Sequence, residues 1–331
     1  MQISKSILCL AVCLTSSALF CQKPMFDPGT EAICTKVKDV AVPSADRPTP
    51  VESKDLAGCR SQDFYFGLGT PKDFVKARKC AFAEMDRGAS DLDIAGRAIL
   101  AMIYANAQGV DRNMDLAIKF SCEVQGSPAD VAGNVHQLAR FKEANYDGTN
   151  FSFCDHSSGR HLYEACVVLD ERFDKIKREN KIAEITRSWS ANDKRAFADL
   201  RKAADSFFTD RCAGEFDTST TQVQERAFLE RDFIAKLEQL ERGEFPRFTA
   251  ADLQKSQGKL KADLNKVQAK GSFMQGQITA QAVNKAEKTW QAYKEAWIIF
   301  GEKRYPKVTA VSWNTWLTED RVVMLNRLLL T

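Results

Sequence analysis

Histidine is almost missing from this chain. Three occur in 331 residues, at His136, His156 and His161, and they are too scattered to argue for a Ser-His-Asp set. No Gly-rich phosphate loop follows a strand-like run. No run of alternating apolar and polar residues is bounded by hairpin turns, so the chain reads as all-α. Beyond the first twenty residues, no segment is long and apolar enough to span a bilayer. Charge of one sign is not in excess either. Lys and Arg number 47 against 44 Asp and Glu, and a net charge of +3 is too weak to argue for nucleic acid. The balance fails only locally: residues 250–331 hold thirteen Lys or Arg against seven Asp or Glu, about +6.

Cysteine, by contrast, is plentiful. Lys5 precedes an apolar run over 7–20 that is too short to cross a membrane, and Ser16 and Ala18 supply small residues for cleavage. Residues 1–18 are therefore expected to be an export signal, with no transmembrane segment in the mature chain. Lipid attachment at Cys21 is disfavoured because Phe20 stands where such sites need a small residue. Two of the ten cysteines fall in the signal. The remaining eight are Cys21, Cys34, Cys59, Cys80, Cys122, Cys154, Cys166 and Cys212. An even set in an exported chain reads as four disulfides. In an antiparallel helix pair, residues equidistant from the turn face each other. That joins Cys59 to Cys80 across Gly69-Thr70-Pro71, and Cys166 to Cys212 across Trp189. Cys122–Cys154 and Cys21–Cys34 then remain.

The chain divides by pattern. Residues 19–53 contain PSADRPTPVES and read as an extended Pro-rich linker. Residues 54–145 show short helices in two related units, 63–79 and 98–120, at an offset of 40 that matches Ala77 to Ala117. Gly109 suits a left-handed turn between helices, and a helix over 129–144 caps the array. After a loop at 145–159, helices are predicted at 160–186, 192–211, 221–242, 249–270, 277–303 and 318–330, with Thr249 as an N-cap. Within them LDERFDKIK (169–177) matches LKADLNKVQ (260–268), and the 194–211 segment matches 287–304. ERAFLERDF (225–233) then follows where EDRVVMLNR (319–327) does, and three matched segments in one order point to tandem duplication, with copies at 160–244 and 249–331.

Four of the five tryptophans lie in the last copy. Trp290, Tyr293, Trp297 and Phe300 recur at i, i+3, i+7 and i+10, one stripe of a helix. Such a stripe is read as a structural core seam. The order of parts here is Leu264-Asn265, then AEKTW-x-x-Y-x-x-AW, then Leu317-Thr318 with Arg321 and Leu325. It resembles the domain family named after the LprI lysozyme inhibitor, and 160–244 reads as a degenerate copy. The 98–120 segment resembles a Sel-one-like, tetratricopeptide-related repeat. Both types are common in bacteria, which implies a periplasmic address. The resemblance implies an exported non-enzymatic binding protein with a protein partner, lysozyme among the candidates. The alternatives are a periplasmic scaffold acting through its repeats, and a binder of anionic envelope material. A basic cluster around Pro306, formed by Lys303, Arg304, Lys307 and Arg321, is the candidate contact surface. One objection attends lysozyme inhibition: animal lysozymes are typically basic, and a basic domain is repelled by them.

Two constellations are weighed and set aside. Cys154, His156, His161 and Cys166 collect four potential zinc ligands, but the spacing fits no standard finger and an oxidising compartment consumes the thiols. Ser256-x-x-Lys259 has the form of a penicillin-recognising nucleophile motif but lacks the SDN and KTG partners. No catalytic residue, metal or cofactor is expected.

Overall fold

Helix caps written into the sequence set most element boundaries. The computed structural model describes residues 26–88, 94–157 and 159–330; the expected signal and Cys21 lie outside them. Thirteen α-helices occur among the described residues: α1 Pro28–Val37, α2 Pro50–Asp55, α3 Ser61–Phe66, α4 Phe74–Asp86, α5 Gly96–Asn106, α6 Met114–Cys122, α7 Pro128–Glu143, α8 Arg160–Thr186, α9 Ala191–Glu215, α10 Ser219–Glu241, α11 Ala250–Lys270, α12 Ala280–Arg304 and α13 Ala310–Leu329. Side-chain oxygens of Asp27, Thr49, Asp73, Asn113, Ser127, Ser190, Thr249 and Thr309 each accept a backbone N–H in the first turn of a helix. The fold is all-α apart from a two-residue antiparallel ladder. There β1 (Ser272–Phe273) meets β2 (Ile278–Thr279), with Phe273 opposite Ile278.

The 40-residue offset is real in three dimensions. Gly67 and Ala107 both end a helix in the left-handed conformation, at φ 76° and 54°. Gly69 and Gly109 follow at φ 76° and 67°. Asp73 N–H donates to Phe64 C=O, as Asn113 N–H does to Tyr104 C=O, and the same two residues then cap α4 and α6. Two copies of one helix–turn–helix unit thus share a loop geometry. Ala77, Ala101, Ala105 and Ala117 are fully buried where these helices approach.

The stretch expected to be an extended linker departs from that reading. Residues 28–37 form α1, started by Asp27 and Pro28, and the helix packs on α6 and α7. Thr30 Oγ1 lies 3.0 Å from His136 Nε2, and Cys34 is bonded to Cys122. Of the residues that suggested a linker, Pro43 precedes a 3-10 turn over Ser44–Asp46, Pro50 starts α2 and Ser53 lies within it.

Three of the four expected cystine pairs are also replaced. The structure joins Cys59 to Cys80, Cys34 to Cys122 and Cys154 to Cys166, and leaves Cys212 a buried thiol. Cys122–Cys154 and Cys21–Cys34 are ruled out by the Cys34–Cys122 bond. Cys166–Cys212 assumed that α8 and α9 run together along their length. They are bridged about halfway along, where Arg201 reaches Glu179 at 2.6 Å, but do not pack together along their length. Cys166 enters the core of the N-terminal array, while Cys212 enters a second core. Helix α8 serves both: Leu162, Ala165 and Leu169 complete the first core, and Ile182 belongs to the second. Arg172 reinforces the junction, reaching Gln62 Oε1 at 2.6 Å and the Asp63 carboxylate.

The two predicted C-terminal copies do not form independent helical hairpins. Helix α8 packs along α10, α11 along α13, and the middle helices α9 and α12 pack along each other in the most extensive contact of the molecule. That contact is antiparallel: Phe197 meets Phe300 at 5.6 Å between ring centroids, and Phe207 stacks on Tyr293 at 5.4 Å. The α8–α10 and α11–α13 trios therefore bury their central helices, α9 and α12, against each other. The six helices share one core. The last helix also begins earlier than the predicted 318. Thr309 caps it, so Trp313 and Trp316 are helical residues rather than parts of a loop.

Candidate functional site

The aromatic seam of α12 is buried. Trp290 and Tyr293 are 1 % and 6 % exposed, and Trp297 and Phe300 are inaccessible. Trp297 stacks on Trp313 at 5.9 Å, and Trp189 from the α8–α9 turn closes on Phe300 at 5.5 Å. Full burial of rings this size leaves no face for a partner. At Gly301 a Cβ would stand 2.4 Å from the Trp313 ring, so only glycine lets the two helices meet there.

The four basic residues expected to form a contact surface are not brought together. Lys303 and Lys307 are exposed. Arg304 is half-buried, with its guanidinium 4.7 Å over the Trp189 ring, 3.2 Å from Glu241 and 3.5 Å from Asp193. It ties the second copy to the first. Arg321 is completely buried. Its Nη2 donates to Glu215 at 2.7 Å and its Nε to Glu287 at 3.0 Å. Burial alone would pull this guanidinium down, but Glu215 and Glu287 outweigh it and hold it above its ordinary value. The expected basic cluster fails because the helix between the Pro306 loop and Arg321 turns Arg321 to the inner face.

Arg321 belongs to an ion network at one end of the six-helix unit. Glu215 also lies 3.1 Å from Arg211 Nε, and Arg211 Nη1 pairs with Glu225. Arg211 and Glu215 are 2 % and 4 % exposed. These groups floor a cleft of about 250 Å³. It lies between the end of α9, the start of α10, the β1–β2 turn and the end of α13. Its walls are Phe216, Met274, Ile278, Met324 and Leu328, and Asp217 and Arg327 stand among its lining residues. Met274 holds φ 47°, a left-handed conformation that few non-glycine residues adopt, and is 37 % exposed. The cleft is an apolar trough over a floor in which Arg211 is ion-paired with both Glu215 and Glu225.

Sequence reading missed this cleft. Its lining comes from three segments spread over more than a hundred residues, and only Arg211 and Glu215, an i,i+4 pair, carried a local signal. The residues considered for metal are used otherwise: Cys154 and Cys166 are bonded to each other, and the His156 side chain packs on Gly133. Ser256 is buried and donates to the Leu253 carbonyl at 3.0 Å. Burial pushes the Cys212 thiol up to about 11, which makes it a poor nucleophile. No helix among the described residues is long and apolar enough to cross a membrane. Comparison with family models, curated proteins and solved structures finds no match to this chain.

Proposed function

We propose that the chain is an exported, non-enzymatic binding protein of the bacterial envelope, in which a disulfide-stapled helical array carries a six-helix unit that does the binding. The observation that supports export is the set of three disulfides, all in or bordering the array. Such bonds persist in oxidising compartments and rarely in a reducing cytosol. Binding rather than chemistry is supported by how the buried charges are used. Arg211 and Arg321 share Glu215 and each pairs with a second glutamate, Glu225 and Glu287, and the buried thiol is held protonated. Cell fractionation with thiol mapping tests this. The protein should leave the cytoplasm, and its six bonded cysteines should resist alkylation until reduction. Recovery in the cytosol with those thiols free would end the proposal.

Lysozyme inhibition is a second reading, favoured by the ordered motif of 264–325. The positive balance of 250–331 opposes binding to a basic lysozyme. A turbidity assay decides it: unchanged lysis at saturating protein removes the reading.

A further inference from the structure

The geometry points to the cleft at the end of α9 and α13 as a binding site for one acyl chain carrying an anionic head. This rests on the six-helix unit being the part that binds. Four observations converge on it. The volume, about 250 Å³, lies just below the usual range of ligand pockets, roughly 300–1,000 Å³. It suits one slender chain rather than a two-chain lipid or a folded partner. The walls are aliphatic, aromatic and thioether. Two of them, Met274 and Met324, are unbranched side chains that adapt to an apolar guest.

The surroundings are apolar beyond the cleft itself. Ten large hydrophobic residues are exposed among the described residues, and Phe228, Met274, Val323 and Leu330 are four of them. Val323, Arg327 and Leu330 follow at i, i+4 and i+7 and share one exposed face of α13. Arg327 lies 5.3 Å over the Phe228 ring. Arg327, which lines the cleft, thus has apolar side chains beside it on α13 and on α10.

The charges place the head. On α9 and α10, Arg211 is matched by Glu215 and Glu225, and Glu215 also by Arg321. The floor therefore has no cation to spare. Arg327 pairs with no carboxylate among the described residues and can present its donors to an anion. The lining holds three carboxylates against two arginines, and Asp217 is the opposing group outside the floor's ion pairs. It is exposed and accepts from the Thr221 hydroxyl at 3.4 Å, and its charge weakens the site for an anion. Tail inward and head at Arg327 is the pose that satisfies both the walls and the mouth.

Two sources share this chemistry, a free fatty carboxylate and an anionic lipid of a bilayer. Calorimetric titration of the full mature chain with decanoate and with decylamine tests the site. Decanoate should bind saturably at one site, and decylamine should bind more weakly. Arg327→Glu, an exposed change, should weaken decanoate by about tenfold or more. Asp217→Asn should strengthen it, and Met324→Trp should block it. Equal binding of both amphiphiles, or undiminished decanoate binding by Arg327→Glu, overturns the assignment. Cosedimentation with phosphatidylglycerol vesicles separates the sources. Vesicle binding that Met324→Trp reduces identifies a bilayer lipid as the guest. Vesicle binding that this change leaves intact, in a protein that ignores decanoate, overturns the cleft. A protein found outside the cytoplasm with its disulfides formed, yet blind to decanoate, would sink this inference and leave the export reading standing.

Discussion

Arg321→Leu should destabilise the six-helix unit severely without exposing any new surface charge. The magnitude follows from where the charge sits. An exposed ion pair is worth under about 1 kcal/mol, and a guanidinium on the Pro306 surface would fall in that class. Arg321 is instead inaccessible, with Glu215 at 2.7 Å and Glu287 at 3.0 Å. Removing one partner of a buried pair leaves the others uncompensated and costs about 3–5 kcal/mol. Glu215 keeps Arg211, but Glu287 loses the only cation bonded to it among the described residues. At about 2–4 °C per kcal/mol for a domain of this size, the melting temperature should drop by roughly 6–20 °C. Thermal and urea unfolding followed by circular dichroism measure it. Lys307→Glu, an exposed control, should stay within about 0.5 kcal/mol of the parent. The double change Arg321→Leu with Glu287→Leu should recover part of the loss, because an apolar pair needs no counter-charge. An Arg321→Leu protein that melts within about 2 °C of its parent would refute the reasoning and return Arg321 to the surface.

Further outcomes follow from the same packing. Trp290→Ala should cost about 3–5 kcal/mol, the range for truncating a large core aromatic; a variant that melts like the parent would show that the seam is not core. Gly301→Ala should destabilise more than a typical surface change, because its Cβ would stand 2.4 Å from the Trp313 ring. An unchanged urea midpoint would disprove the close approach of α12 and α13. Non-reducing peptide mapping should recover Cys154 with Cys166 and Cys34 with Cys122. Cys212 should resist alkylation in the native protein even at mildly alkaline pH, since burial holds its thiol up near 11, and should react on unfolding. Recovery of a Cys166–Cys212 peptide would contradict the separation of α8 from α9.

The local signals of this chain determined its class and most of its helices. Period 3.6 in the apolar residues, Thr249 and Ser190 as caps, and the absence of alternating runs are properties of neighbours in sequence. They suffice for where a helix starts and which stripe it buries. The 40-residue repeat and the burial of Trp290, Tyr293, Trp297 and Phe300 were legible for the same reason. Pairing between helices was not. Equidistance from the Trp189 turn makes Cys166 and Cys212 neighbours only if α8 and α9 stay together, and no local pattern records that α9 leaves for α12. A helix with an apolar stripe can bury it against any partner of matching shape. The choice rests on the summed fit of rings such as Phe197 on Phe300 and Phe207 on Tyr293, a hundred residues apart or nearly so. Once that choice is made, Arg321 faces inward and the ends of α9 and α13 enclose an apolar cleft. Only the tertiary structure could decide either, because both depend on which distant surfaces meet.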